Sequence, residues 1–193
     1  FYEPGLFAVP AGCSDGRMKL TIARLEPNDL ATAQELAHDA GLGGAAPFLP
    51  LSLSCEPDGY LLARDEDGRP AACVGAQRYG NVAFIGAMCV ARRLQRKGVG
   101  AEILRHLIQE LQTRGTAGFL LEATPAGAGL YEKLGFSAQF LTHVWRAPEA
   151  SFTGVRDTCE RVSPRDVDGI LALDESCFGA PRHNLLRSWL SEY

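Results

Sequence analysis

The spacing of hydrophobic positions changes period several times along the chain, and each change marks an element. Leu20 to Leu25 is a short apolar, β-prone run. Pro27-Asn28-Asp29 then suits the opening of a helix that carries Leu30, Ala33, Leu36 and Ala37 to a stop at Gly41. Residues 42–58 are rich in Gly, Pro and Ser and read as loop with room for one short helix. Tyr60–Arg64 and Ala71–Arg78 are strand-like and flank Asp65-Glu66-Asp67-Gly68, whose turn chemistry predicts an antiparallel hairpin; Val82–Val90 continues the meander. From Val99 to Arg114 the period returns to helical through Ile103, Leu104, Leu107, Ile108 and Leu111, with Gly115 in the place of a cap. Phe119–Ala123 reads as a buried strand, parallel to its neighbour because a helix precedes it. Pro125–Leu134 reads as a short helix stopped by Gly135-Phe136, and Gln139–Trp145 as a last strand. The order β–α–β–β–β–α–β–α–β predicts an α/β (α+β) fold, a mixed and mostly antiparallel sheet flanked by helices.

The tail repeats the opening. Residues 24–30 (RLEPNDL) and 161–167 (RVSPRDV) share the pattern Arg, apolar, any, Pro, any, Asp, apolar, each after a β-prone run and before a helical pattern. In the second copy Ser163, Pro164 and Asp166 fall at N-cap, N1 and N3. The expected organisation is a leader or extension over 1–17, a main domain over 18–147, a linker over 148–154, and a partial second unit over 155–193. That unit has apolar faces through Val167, Ile170, Leu171 and Leu173, then Leu185, Leu186, Trp189 and Leu190. They require a cover, for which the main domain, a second copy of the chain in a homodimer, or further chain are the expected candidates.

Composition narrows the function classes. Hydrophobic residues at 46% and charged residues at 22% are ordinary for a globular protein and argue against disorder. No apolar run approaches the roughly 20 residues that cross a bilayer, so no membrane role is expected. A net charge of -4 argues against a protein whose main task is neutralising nucleic-acid phosphates. The six cysteines contain no CxxC pair and read as small buried residues in a reducing compartment, so a cytoplasmic location and no metal are expected. The first residues lack the basic and apolar regions of a signal peptide.

The sharpest local signal is Gln95-Arg96-Lys97-Gly98-Val99-Gly100-Ala101, between a strand end and an amphipathic helix. Glycines let a ligand approach the backbone, and the first free N–H groups of a helix, with the dipole, favour a phosphate or pyrophosphate. Arg96 and Lys97 add positive charge there. Neither the GxxxxGK[ST] loop nor the GxGxxG dinucleotide fingerprint is present. Downstream, Ala128-Gly129-Leu130-Tyr131-Glu132-Lys133-Leu134-Gly135-Phe136 forms a second motif.

From about Leu20 to Arg146 the chain resembles the GNAT superfamily of N-acetyltransferases. Gln95, Gly98 and Gly100 match its Gln/Arg-x-x-Gly-x-Gly/Ala motif, and Tyr131, Gly135 and Phe136 its Tyr-x-x-x-Gly-Phe helix end. The resemblance implies acetyl-CoA as cosubstrate, no metal, and a small-molecule or peptide amine as acceptor. It places Met88, Cys89 and Val90 at the strand end that pairs with the pantetheine arm. It also puts Gln95, Arg96, Lys97, Gly98, Val99, Gly100 and Ala101 around the pyrophosphate, and makes Tyr131 the acid for the departing thiolate. Glu122 is the nearest acidic candidate for the base, with a water relay as the alternative. His106 and His143 read as structural. The rival reading is a cofactor-binding or interaction module that kept the fold and lost transfer. Small amines, amino acids, aminoglycosides and protein N-termini all stay open as acceptors.

Overall fold

The computed structural model describes residues 19–143 and 160–192. The leader, the linker, Trp145 and the β-prone run from Val155 lie outside them. The described residues fall into two compact units that divide between Phe136 and Ser137.

The first unit is one sheet with helices on both faces. Its strands are β1 (Thr21–Arg24), β2 (Tyr60–Arg64), β3 (Pro70–Tyr79), β4 (Val82–Val90) and β5 (Gly118–Leu121), in spatial order β1-β2-β3-β4-β5. All neighbours are antiparallel except β4 and β5, which are parallel and joined through a helix. The helices are α1 (Leu30–Asp39), α2 (Leu49–Cys55), α3 (Val99–Thr113) and α4 (Pro125–Lys133). Alternation along the strands sends Leu61, Val74 and Ile85 into one core with Ile103, Leu104, Leu107 and Leu111 of α3 and Tyr131 of α4. The opposite face packs Tyr60, Leu62, Cys73 and Cys89 against Leu36 and Ala37 of α1 and Leu49 and Leu53 of α2. Ile103, Leu104 and Leu107 are fully buried, so truncating any one to Ala costs about 2–5 kcal/mol.

Two expectations need correction. Residues 139–143, the described part of the expected last strand, have no regular structure. Phe140 and Leu141 are 83% and 85% exposed there, and a short run with no neighbouring strand among the described residues leaves its backbone groups to water. The cysteines are not uniformly buried: Cys73 and Cys89 are, Cys55 is half-buried and Cys177 is exposed.

The second unit holds α5 (Val167–Phe178) and α6 (His183–Glu192). Its opening repeats the geometry of the first unit. Glu26 N–H donates to Asp29 Oδ2 at 3.2 Å ahead of α1, and Ser163 N–H to Asp166 Oδ2 at 2.8 Å ahead of α5. Each Pro-x-Asp is one 3-10 turn leading into the helix, and Gly41 (φ 82) and Gly179 (φ 82) follow the two helix ends in the left-handed region. Arg182 pairs with Asp174 and stacks 4.1 Å over the Phe178 ring, tying the α5–α6 corner.

The β2–β3 hairpin is built around Asp65. Its N–H donates to Arg69 C=O at 2.9 Å, and its Oδ1 accepts the Asp67 and Arg69 amides at 3.1 and 2.9 Å. Its Oδ2 meets the Arg93 guanidinium at 2.7 Å. Burial pushes this carboxyl up, but the Arg69 amide, Arg93 and the Asp67 amide together hold it below its ordinary value of 3.8. A carboxyl depressed in the folded state contributes stability above its unfolded pKa and loses it as pH falls through the lower folded value. Asp65→Asn is therefore expected to lower Tm at neutral pH, with the gap to wild type closing as the pH falls below the ordinary carboxylate range. A gap unchanged into acid would contradict this.

Candidate active site

The site forms where β4 loses a neighbour. Its pairing with β5 runs from Val82↔Gly118 to Ile85↔Leu121 and stops. Pairing with β3 continues to Cys73↔Cys89 and Ala72↔Val90. From Gly86 to Val90, β4 therefore keeps one strand partner among the described residues and offers its other edge. Between Gly75↔Gly86 and Cys73↔Cys89 the register slips by one residue, so β4 carries a bulge there. Ala87, in the bulge, sits at φ 50, a conformation that costs an alanine about 1–2 kcal/mol. Bulges re-aim backbone groups, and this one lies where the open edge begins.

The loop that follows is held from two sides. Arg92 N–H donates to Asp39 Oδ2 at 2.8 Å, and Arg92 Nε to Asp39 C=O at 2.5 Å, which ties it to the end of α1. Arg93 bonds Asp65 and donates to Pro70 C=O at 3.0 Å, which ties it to the hairpin. Gln95 Nε2 donates back to Val90 C=O at 3.1 Å and closes the loop on the strand end. Arg96 and Lys97, both exposed, follow these anchors.

Arg96 (φ 64) and Gly98 (φ 87) are both left-handed, and α3 begins at Val99 with no side-chain cap. The first bond of that turn runs from Glu102 N–H to Gly98 C=O at 3.1 Å, so the amides of Val99, Gly100 and Ala101 point out of the helix. Uncapped amides, the dipole and two cations favour an anion at this helix start. Gly100 also has a packing reason: a Cβ there would fall 2.9 Å from Met88 Cε, 3.3 Å from Val90 Cγ2 and 3.4 Å from Leu130 Cδ2. The helix start thus rests directly on the open half of β4.

The Tyr-x-x-x-Gly-Phe motif has a backbone explanation. Phe136 N–H donates to Tyr131 C=O at 3.1 Å and Gly135 N–H to Glu132 C=O at 3.0 Å, with Gly135 at φ 91. This is a Schellman ending of α4, in which the residue after the glycine packs on the residue one turn back. Here that contact is Phe136 edge-on to Tyr131, with ring centroids 6.0 Å apart at 73°. The tyrosine ring is thereby set by the helix stop. Burial, and after it the Cys89 thiol, push the Tyr131 phenol above its ordinary 10.0, so it stays protonated at neutral pH. Tyr131 belongs to the core cluster against which Met88 and Val90 pack. Burial raises the Cys89 thiol itself to about 11, which keeps it neutral.

The structure thus gathers Met88, Cys89, Val90, Gln95 to Ala101 and Tyr131 around one strand end. Glu122 follows Leu121, the last residue of β5, and is exposed. His106 pairs with Glu110 on α3 at 3.6 Å, and His143 is exposed in an irregular segment. The sequence reading missed the bulge at Ala87 and the anchoring by Arg92 and Arg93.

A family model described as Acetyltransferase (GNAT) family matches residues 31–136. The [Ribosomal protein bS18]-alanine N-acetyltransferase of Escherichia coli (strain K12) is 34% identical over 122 residues, 61% of this chain and 80% of that enzyme. A putative acetyltransferase from Pyrococcus horikoshii superposes with TM-score 0.69 at 22% identity, covering 95% of this chain and 66% of its own. A GNAT family acetyltransferase from Brucella melitensis, solved in complex with acetyl-CoA, superposes with TM-score 0.53 at 18% identity, covering 63% of this chain and 85% of its own.

The helix stop yields a direct test. Gly135→Ala forces a Cβ into the left-handed region and is expected to cost about 1–2 kcal/mol, a drop of a few degrees in Tm; an unchanged Tm would show that Gly135 is not under this constraint. The open strand edge, the helix-start loop and the helix stop all fall within the matched span, and the chain belongs to the Acetyltransferase (GNAT) family.

Proposed function

We propose that the chain is an acetyl-CoA-dependent N-acetyltransferase that passes an acetyl group to a primary amine by direct attack. The observation that carries this reading is the half-unpaired β4, whose open edge ends at an uncapped helix start. An extended amide-bearing chain such as pantetheine can add to such an edge as a strand would, through the backbone of Met88, Cys89 and Val90. Pyrophosphate fits the amides of Val99 to Ala101 with Arg96 and Lys97 beside them.

In the transfer step the acceptor nitrogen attacks the acetyl carbonyl, and the carbon–sulfur bond breaks. Backbone N–H groups at the β4 strand end polarise the carbonyl oxygen. Tyr131 donates its phenolic proton to the leaving sulfur, a role suited to a group held protonated by burial. Glu122, directly or through water, takes the proton that the amine sheds. The name of the Escherichia coli relative supports a peptide α-amine as acceptor. The duplicated capped turn supports residues from Val155 onward as the opening of a second GNAT-like unit.

Two variants test this. Gly98→Val keeps the space of the loop but not its φ 87, and acetyl-CoA affinity by calorimetry is expected to fall at least tenfold, about 1.4 kcal/mol. Tyr131→Phe keeps the ring and its contact with Phe136, and turnover is expected to fall about 10²-fold with acetyl-CoA affinity nearly kept. Wild-type turnover in folded Tyr131→Phe would remove the tyrosine from the chemistry.

A further inference from the structure

Gly75, Gly86 and Gly118 are the glycines of the described strands, and they differ in what a side chain there would meet. A Cβ on Gly75 would fall 2.0 Å from the Tyr60 ring, and one on Gly118 would meet Val82 Cγ2 at 3.4 Å. A Cβ on Gly86 meets no atom within 4 Å among the described residues. Its φ is not left-handed either. Glycine weakens a strand interior through backbone entropy and lost side-chain packing, so at this position the fold would gain from a larger residue. The absence of a side chain keeps a space open, and glycine in a strand often marks close approach of a ligand.

The register shows what surrounds that space. Tyr60↔Gly75 and Gly75↔Gly86 form one row across the sheet, and Glu122 follows Leu121, the partner of Ile85, one residue past the end of the β4–β5 pairing. The Tyr60 ring lies over Gly75 and is buried. Its hydroxyl accepts from Gln77 Nε2 at 3.0 Å, while the same amide donates to Ser52 C=O of α2 at 2.6 Å, so the ring is a fixed wall. Phe84 is two residues back on the same face and pairs with Leu120, which is 47% exposed. The bulge at Ala87 is the next residue along β4. Along this row the Tyr60 ring covers Gly75, Gly86 stays uncovered among the described residues, and Phe84 lies next along β4, immediately beside the strand edge.

We infer that Gly86 is the specificity-determining residue for the acceptor: the substituent next to the attacking amine lies over Gly86, between Tyr60 and Phe84, with the amine toward Glu122. This inference rests on the transferase reading above. The acceptor class it names is a primary amine with a compact apolar substituent. An anionic substituent would have to lose water against Tyr60 and Phe84 with the Glu122 carboxylate nearby.

The test uses Gly86→Ala and Gly86→Val, both of which place atoms in open space on an ordinary backbone, so wild-type Tm or higher is expected. Wild type and variants are compared with amines graded in size, from Gly- and Ala- to Leu- and Phe-initiated peptides, and with acetyl- and propionyl-CoA. The expected result is an acceptor KM that rises with substituent size, at least tenfold for the largest in Gly86→Val and less in Gly86→Ala. Acetyl-CoA affinity and the acetyl-to-propionyl ratio should stay within twofold. A conjugate joining CoA sulfur through an acetyl link to an alanyl tripeptide should bind wild type more tightly than CoA, and lose that advantage in Gly86→Val. An unchanged acceptor profile, or a changed acyl preference with unchanged acceptors, overturns the inference and leaves the transferase reading standing. A wild-type chain that transfers to no amine and binds the conjugate no better than CoA overturns both.

Discussion

The structure turns on the parting of β4 and β5. A parallel pair that stayed in register to the end of β4 would satisfy every backbone group on that strand and leave nothing to bind. Pairing stops at Ile85↔Leu121, and past the bulge around Ala87 one edge of the remaining strand has no strand partner among the described residues. An open edge is an aggregation hazard in an ordinary protein, and here its shortness and its cover by the start of α3 limit that hazard. The strained alanine is tolerated because two large cores, one on each face of the sheet, hold the strands on either side.

Other parts of the site follow from the same demand for accurate placement. The loop before α3 must deliver three amides to the end of the open edge. Arg92 fastens its start to α1 and Arg93 fastens it to the hairpin through Asp65. Both arginines would look like phosphate ligands from charge alone, yet their donors are engaged away from the helix start. The α4 stop does the corresponding work for Tyr131, because a Schellman glycine allows Phe136 to turn back onto the ring.

Much of this was legible in the sequence because it depends on period and punctuation. Apolar, β-prone runs punctuated by turn residues marked β2 to β4 closely, and the return to helical spacing with Gly115 marked α3. The two motifs located the loop and the tyrosine. What stayed hidden was either disguised or carried by no residue type of its own. The short helix for which 42–58 left room is α2, Leu-Pro-Leu-Ser-Leu-Ser-Cys, and its bounds were disguised because it alternates like a strand although Leu49 and Leu53 pack as i and i+4. The run 139–145 has strand-like residues but, over its described part, no strand beside it. The bulge falls on an alanine, where a glycine would have signalled a left-handed φ. The space over Gly86 comes from the absence of nearby atoms among the described residues, which no residue type in the sequence signals.

The most direct test of the open edge is hydrogen exchange across β4 with and without acetyl-CoA. Amides between Gly86 and Val90 that face away from β3 are expected to exchange fast in the free protein and to become protected when acetyl-CoA is added, together with those of Val99 to Ala101. Amides from Val82 to Ile85, already paired with β5, should change little. Binding of acetyl-CoA with no added protection between Gly86 and Val90 would contradict the account.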